Sequence, residues 1–260
     1  MTSTDHEPLL TAADPAPVTV INPVGASPFL FIGDHSGNAI PRSLGDLGVS
    51  AADRTRHIAW DIGVAGLGMT LAGTMDATFV RQTYSRLVVD CNRAPGAVDA
   101  MPPVSDGTPI PGNRDLSPTD VAARMAAIHA PYQQAIADAL AARDAAGRPT
   151  VLIALHSFTP ALAGGTRRPW QIGVLHDAGD TGFALGLLSV LRREPAWTVG
   201  DNEPYRMDLI DYTIPRHAYP QRRPYAELEI RQDLLADAAA EREWAGRLAS
   251  ALTAALPGGI

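Results

Sequence analysis

Two apolar runs in this chain end in an imidazole. Phe29 to Gly33 leads through Asp34 into His35, and Val151 to Leu155 leads into His156, with Ser36 and Ser157 following. In open α/β sheets, ligands bind outside the carboxyl ends of the strands, and both histidines fall there by position. A pair of imidazoles can hold a divalent ion if a carboxylate completes the set and one position stays open for water. Asp61 is the first candidate; if residues 57–75 are helical, it shares a face with His57. Asp34 is the second, although it could equally hydrogen-bond a histidine from behind. Without an ion, each histidine would simply cap its strand end through a backbone hydrogen bond.

Two further segments carry chemistry. Between Tyr84 and Arg93, Arg86 and Arg93 bracket an apolar stretch that reads as a strand ending in Asn92-Arg93. An amide beside a guanidinium can bind a substrate carboxylate, or Arg93 can pair with Asp90 as a structural bridge. From Glu227 to Asp233, polar and apolar residues alternate, so Glu227, Glu229 and Arg231 share one face of a strand, opposite Leu228 and Ile230. A glutamate held beside an activated water would serve as general base. The same alternation would also suit a solvated face on an edge strand. His217, with Arg216, Arg222 and Arg223, lies in a polar loop just before this strand and receives no role.

Other mechanisms lack their residues. No lysine occurs, which excludes a Schiff base and a P-loop, and no G-x-S-x-G or G-x-G-x-x-G sequence is present. The single cysteine, Cys91, excludes an internal disulfide and a cysteine-rich metal site, and reads as a small buried residue.

The elements that must position these groups alternate between strand and helix. Residues 18–24 and 28–34 read as strands, 57–75 as a buried helix, and 77–93 as one or two strands with a turn. Residues 94–116, rich in Pro, Gly and Asn, form a long loop or lid. A helix starts at Ser117, with Asp120 completing its cap, and stops at Gly147 and Pro149. Residues 150–158 form a strand buried on both faces, 170–177 another, 181–194 a helix, and 225–235 a strand that turns into a loop. Residues 238–255 form a closing amphipathic helix. This order predicts an α/β three-layer sandwich with a mixed, mainly parallel central sheet. Residues 1–16 read as a flexible lead-in and 17–260 as a single domain.

Composition narrows the partners. The 260 residues carry 21 basic and 28 acidic side chains, a formal charge of −7, so no cationic field draws nucleic acid or an anionic membrane. No stretch approaches the roughly 20 apolar residues of a membrane span, and the start lacks the pattern of a signal peptide. The expected setting is cytoplasmic, and the oligomeric state is left open.

These segments resemble the N-formylglutamate amidohydrolase family. The likeness rests on His35-Ser36-Gly37 with Ile40-Pro41, Trp60-Asp61, Tyr84-Ser85-Arg86 through Asp90 and Asn92-Arg93, His156-Ser157-Phe158, and Glu229 through Leu234. It implies a metal-dependent amide hydrolase related in fold to the zinc carboxypeptidases. In that group a histidine, a glutamate three residues on and a later histidine bind zinc. Here that third position is Asn38, a poor ligand, which moves the carboxylate to Asp61, with His35 and His156 as its partners. The resemblance makes Glu229 the general base, and Arg86, Asn92 and Arg93 the binders of substrate carboxylates. The resulting expectation is a hydrolase, dependent on Zn2+ or another divalent ion, for N-formyl-L-glutamate or a similar small N-acyl amino acid. The alternatives are a metallo-carboxypeptidase, an amidase for another acyl amino acid, or a catalytically silent protein that binds a metabolite or metal.

Overall fold

The computed structural model describes residues 8–208 and 211–256. The central sheet is built from β1 (Val18–Ile21), β2 (Phe29–Gly33), β3 (Thr78–Gln82), β6 (Val151–Phe158), β7 (Ile172–Leu175), β8 (Val199–Asp201) and β9 (Tyr225–Arg231). A small hairpin, β4 (Val104–Ser105) with β5 (Thr108–Pro109), stands apart from it. The sheet order is β1-β3-β2-β6-β9-β7-β8. Four pairings are parallel; β1 with β3 and β7 with β9 run antiparallel. The sheet is therefore mixed and mainly parallel, as the alternation of strands and helices predicts.

Each central strand buries both faces, and its side chains divide by the two-residue period. Phe29, Phe31, Ile153, Leu155, Leu228 and Ile230 join one core cluster. It is closed by α1 (Val64–Thr74), α4 (Gly182–Leu191) and α6 (Ala238–Ala254) through residues such as Leu67, Leu187 and Leu248. Leu30, Ile32, Leu152, Ala154 and Tyr225 point the other way. There they meet Ile128, Tyr132 and Ile136 from a helical run made of α2 (Pro118–Arg124), a π-helical turn at Met125–His129 and α3 (Ala130–Ala145). The result is three layers. A short helix, α5 (Thr213–His217), lies on the second side against α3.

Several local expectations match the chain's own signals. Ser117 and Asp120 form a capping box at the start of α2, and Gly147 takes φ 65° just beyond α3. The Asp237 side chain caps α6 by accepting from the amides of Ala239 and Ala240.

Two segments differ from their expected form. Helix α1 begins only at Val64, so His57 and Asp61 do not share a helical face. Gly63, at φ 85°, breaks the backbone, and the amides and carbonyls before it bond elsewhere: Asp61 N–H donates to His35 O at 2.8 Å, and Arg86 N–H to Ala59 O. Residues 86–93 are turns rather than a strand. Ser85 Oγ donates to Ala59 O and accepts from Leu87 N–H, and Asp90 Oδ1 accepts from Asn92 N–H, so side chains replace a ladder there. Leu87, Val88 and Val89 are buried all round, which mimics the apolar run of an inner strand.

Residues 1–7 of the expected lead-in lie outside the described residues. Residues 8–16 are fastened to the body. Leu9 and Leu10 pack on the second core, Asp14 accepts from Arg42 N–H, and Tyr84 Oη donates to Pro15 O.

Candidate active site

The parallel strands β2, β6 and β9 end on the same side of the sheet, and a cleft opens there. Its cavity of about 220 Å³ has room for a small molecule. His35, Asp61, Arg86, Asn92, Arg93, His156 and Glu229 all line it.

His35 follows the end of β2 and is buried. Its Nε2 donates to Asp90 Oδ1 at 2.7 Å, which turns Nδ1 toward Asp61 Oδ2, 3.5 Å away. His156, on β6, brings its Nδ1 to 2.9 Å from the same Asp61 oxygen. One ligand atom from each of His35, Asp61 and His156 lies within 4.8 Å of the other two, and all three residues are buried. Backbone bonds hold Asp61 in place: its amide bonds to His35 O, and Oδ2 also lies 3.3 Å from Ser157 N–H.

Asp34 stands on the far side of His156. Its Oδ2 lies 3.4 Å from His156 Nε2, and its Oδ1 accepts from Thr213 Oγ1 at 2.6 Å. Each imidazole thus has one nitrogen facing Asp61 and the other facing a second carboxylate, Asp90 or Asp34. That arrangement orients histidines around a metal ion. His35 Nδ1 is buried and has no hydrogen-bond partner, although the ring's other nitrogen is well paired. Buried polar atoms are seldom left so. Two imidazoles and a carboxylate form a donor set suited to zinc or a similar divalent ion. Asn38 faces elsewhere, donating from Nδ2 to Arg54 O at 2.7 Å.

β9 supplies two carboxylates on the cleft side. His156 and Glu229 are Cα partners in the parallel pairing of β6 with β9, and Ala154 pairs with Glu227. β9 lies between β6 and β7, so it is an inner strand and not the solvated edge that its alternation would also suit. Glu229 Oε2 and Glu227 Oε2 are buried without partners.

The acids divide into two groups. For Asp34, Asp61 and Asp90, burial favours the neutral acid. The two imidazoles outweigh it for Asp34 and Asp61, as does His35 with Arg86 for Asp90, and all three are held below the ordinary carboxylate range. Burial lifts Glu229 to about 8, with Asp61 adding to the effect against the pull of His156. Burial likewise raises Glu227 well above its usual value. His35 and His156 are both raised: burial opposes their charging, but the surrounding carboxylates prevail. Carboxylic acids whose pKa values are pushed apart in one site are the pattern expected of acid–base chemistry.

The arginine wall is more committed than its sequence suggests. Arg86 spans Asp90 at 2.8 Å and Asp61 at 3.4 Å. Arg93 pairs with Asp99 at 2.8 Å and lies 3.9 Å from Asp211, so the alternative bridge to Asp90 belongs to Arg86 instead. Asn92 Oδ1 accepts from the amides of Tyr212 and Thr213, and its Nδ2 donates to Asp211. Asn92 therefore anchors the start of α5 while lining the cleft. His57 lines the cleft as well, 3.4 Å from Asp106 in the β4–β5 hairpin, so the 94–116 loop reaches the rim.

His217 lies outside the cleft but connects to it. Its Nε2 bonds Gln133 Oε1 at 2.8 Å, Gln133 Nε2 donates to Thr213 Oγ1, and Thr213 reaches Asp34. Sequence reasoning did not find the parts played by Thr213, Gln133, Tyr205 and Arg206. Thr213, Tyr205 and Arg206 sit in segments without periodic pattern, Gln133 lies on the expected helix but its target does not show in the helical period, and Thr213 is 179 residues from its partner Asp34. The nearest local signal was Asp90, visible only as a neighbour of the arginines.

Among the described residues, no helix is long and apolar enough to cross a membrane. The family model for N-formylglutamate amidohydrolase matches residues 27–236. The crystal structure of gene product Atu2144 from Agrobacterium tumefaciens is similar, with TM-score 0.91 and 36% identity, over 95% of this chain and 97% of that one. N-formylglutamate amidohydrolase from Ralstonia eutropha JMP134 shares the fold, with TM-score 0.62 and 22% identity, over 91% of this chain and 98% of that one. No curated protein matches the sequence.

Proposed function

The chain belongs to the N-formylglutamate amidohydrolase family, and we propose that it hydrolyses the amide of N-formyl-L-glutamate or a closely similar N-acyl acidic amino acid, using a divalent ion. The observation that carries this reading is the convergence of His35 Nδ1 and His156 Nδ1 on Asp61, with Glu229 one strand away on the same face.

His35, Asp61 and His156 would hold the ion, with Asp90 and Asp34 fixing the two rings from behind. Zinc, or another divalent ion, supplies polarisation of the acyl oxygen and an acidified water. Glu229 takes a proton from the attacking water and returns it to the leaving nitrogen as the C–N bond breaks, which releases formate and the amino acid. Arg86 and Arg93 would draw in a substrate carboxylate and stabilise the negative charge developing on the acyl oxygen. Asn92 contributes chiefly by holding residues 211–213 against the cleft. Residues 17–260 act in this reading as one domain, because both the arginine wall and the glutamate strand are needed at one cleft.

The test combines metal content by elemental analysis with turnover of N-formyl-L-glutamate. About one divalent ion per chain, and release of formate that chelation abolishes, would support the reading. A chain that takes up no metal from zinc-containing buffer would overturn it. Metal binding with no turnover of any N-acyl amino acid would favour a silent binding protein.

A further inference from the structure

Three arginines line the cleft, and they differ in their counter-ions. Arg86 is held by Asp90 and Asp61, and Arg93 by Asp99. Arg206 is exposed at the rim and has no ion pair or hydrogen bond with any described residue. A guanidinium that faces a cleft without an internal carboxylate is the one best able to take a carboxylate from outside.

The backbone beneath Arg206 is built to carry it. Gly173 of β7 and Gly200 of β8 are Cα partners. The Glu203 carbonyl rests on both, where an added Cβ would lie 1.9 Å and 2.5 Å from that oxygen. Any other residue at either position would lift the segment off the sheet. Gly173 is in turn the partner of Glu229 in the β7–β9 pairing, so the segment from Glu203 onward crosses the sheet beside the candidate base. Two further contacts hold it down. Met207 is buried, with Tyr219 Oη donating to its sulfur, and Tyr205 Oη accepts from Arg168 Nη1 at 3.0 Å while the Arg168 guanidinium lies 4.9 Å from its ring centre. Arg206 thus presents an exposed guanidinium from a fixed base to the cleft that Arg86 and Arg93 also line.

We infer that Arg206 binds the side-chain carboxylate of the substrate and thereby selects N-acyl amino acids with acidic side chains over neutral ones. This rests on the amidohydrolase reading above and adds to it the residue that reads the substrate. A substrate with two carboxylates needs two cationic positions, and Arg206 supplies one that no carboxylate of the described residues already holds.

The test compares kcat/KM for N-formyl-L-glutamate and N-formyl-L-glutamine in wild type, Arg206→Gln and Arg206→Lys. These substrates differ only in the charge that Arg206 would read. The wild type is expected to favour the glutamate substrate by about 10–100-fold, and Arg206→Gln to bring that ratio near one, chiefly through a higher KM for the charged substrate. Arg206→Lys should restore part of the ratio. A fall in both substrates together, with the ratio kept, would overturn the inference, since that is what mere structural damage does. If wild type hydrolyses neither substrate, the amidohydrolase reading fails. Calorimetric binding of glutarate then judges Arg206 on its own, binding lost in Arg206→Gln upholding its role and equal binding in both proteins overturning it.

Discussion

His156 stands opposite Glu229 in the parallel register of β6 and β9, so the two side chains leave the same face of the sheet one strand apart. Neighbouring strands lie about 4.8 Å apart, which sets the spacing between a ligand on one and a base on the other without help from any loop. The spacing of that ligand and base therefore rests on two inner strands of the central sheet.

Glu229→Gln keeps the shape of the side chain but cannot accept a proton. A fall in kcat of about 10²–10⁴-fold is expected, with metal content equal to wild type. Steady-state kinetics beside elemental analysis checks this, and near-normal turnover would remove Glu229 from the base role.

Asp90→Asn should weaken metal affinity by about 10–100-fold, because Asp90 Oδ1 orients His35 through the 2.7 Å bond to Nε2. Competition with a chromogenic chelator measures it. His156→Ala removes a ligand outright and should leave the purified chain with little metal. Unchanged affinity in both variants would place the ion elsewhere.

Burial, with Arg216 and Arg223, holds His217 at about 4, below its ordinary 6.5. The unfolded chain therefore binds a proton between these values that the folded chain does not. The stability His217 contributes is complete above pH 6.5 and drains away as pH falls toward 4, at no more than about 1.4 kcal/mol per pH unit. Urea titrations across this window should show a shallower loss for His217→Gln than for wild type. Equal slopes would mean that His217 is not held neutral.

Gly173→Ala forces a Cβ into the Glu203 carbonyl. A loss of about 1–3 kcal/mol is expected on overpacking grounds. If the segment relieves the clash by shifting, substrate KM should rise along with it. Thermal melts and kinetics on one preparation separate the two responses.

Much of the framework was legible in advance. Unbroken apolar runs at Phe29–Gly33 and Val151–Phe158 marked strands buried on both faces, and the alternation from Glu227 to Arg231 placed both glutamates on one side of β9. Residues 57–63 and 86–93 were misread for one shared reason. Both are rich in buried apolar or small residues, which periodicity assigns to helix or strand. Their backbone groups instead bond to each other and to the His35 segment, partners 20 or more residues away for Asp61 and Arg86.

By itself, the sequence determined which chemistry was available and which elements would carry it. It holds histidines at two strand ends, carboxylates in an alternating strand, arginines without lysines, and caps that locate the helices. Those properties follow from residue type and local period, and they need no knowledge of distant contacts. Only the tertiary structure decided which carboxylate faces both imidazoles, which acids stand behind them, and which arginines are already paired. Asp61 meets His156 across 95 residues of chain, and Asp34 meets Thr213 across 179. Such meetings depend on strand order and register, because a one-residue slip would turn Glu229 to the opposite face.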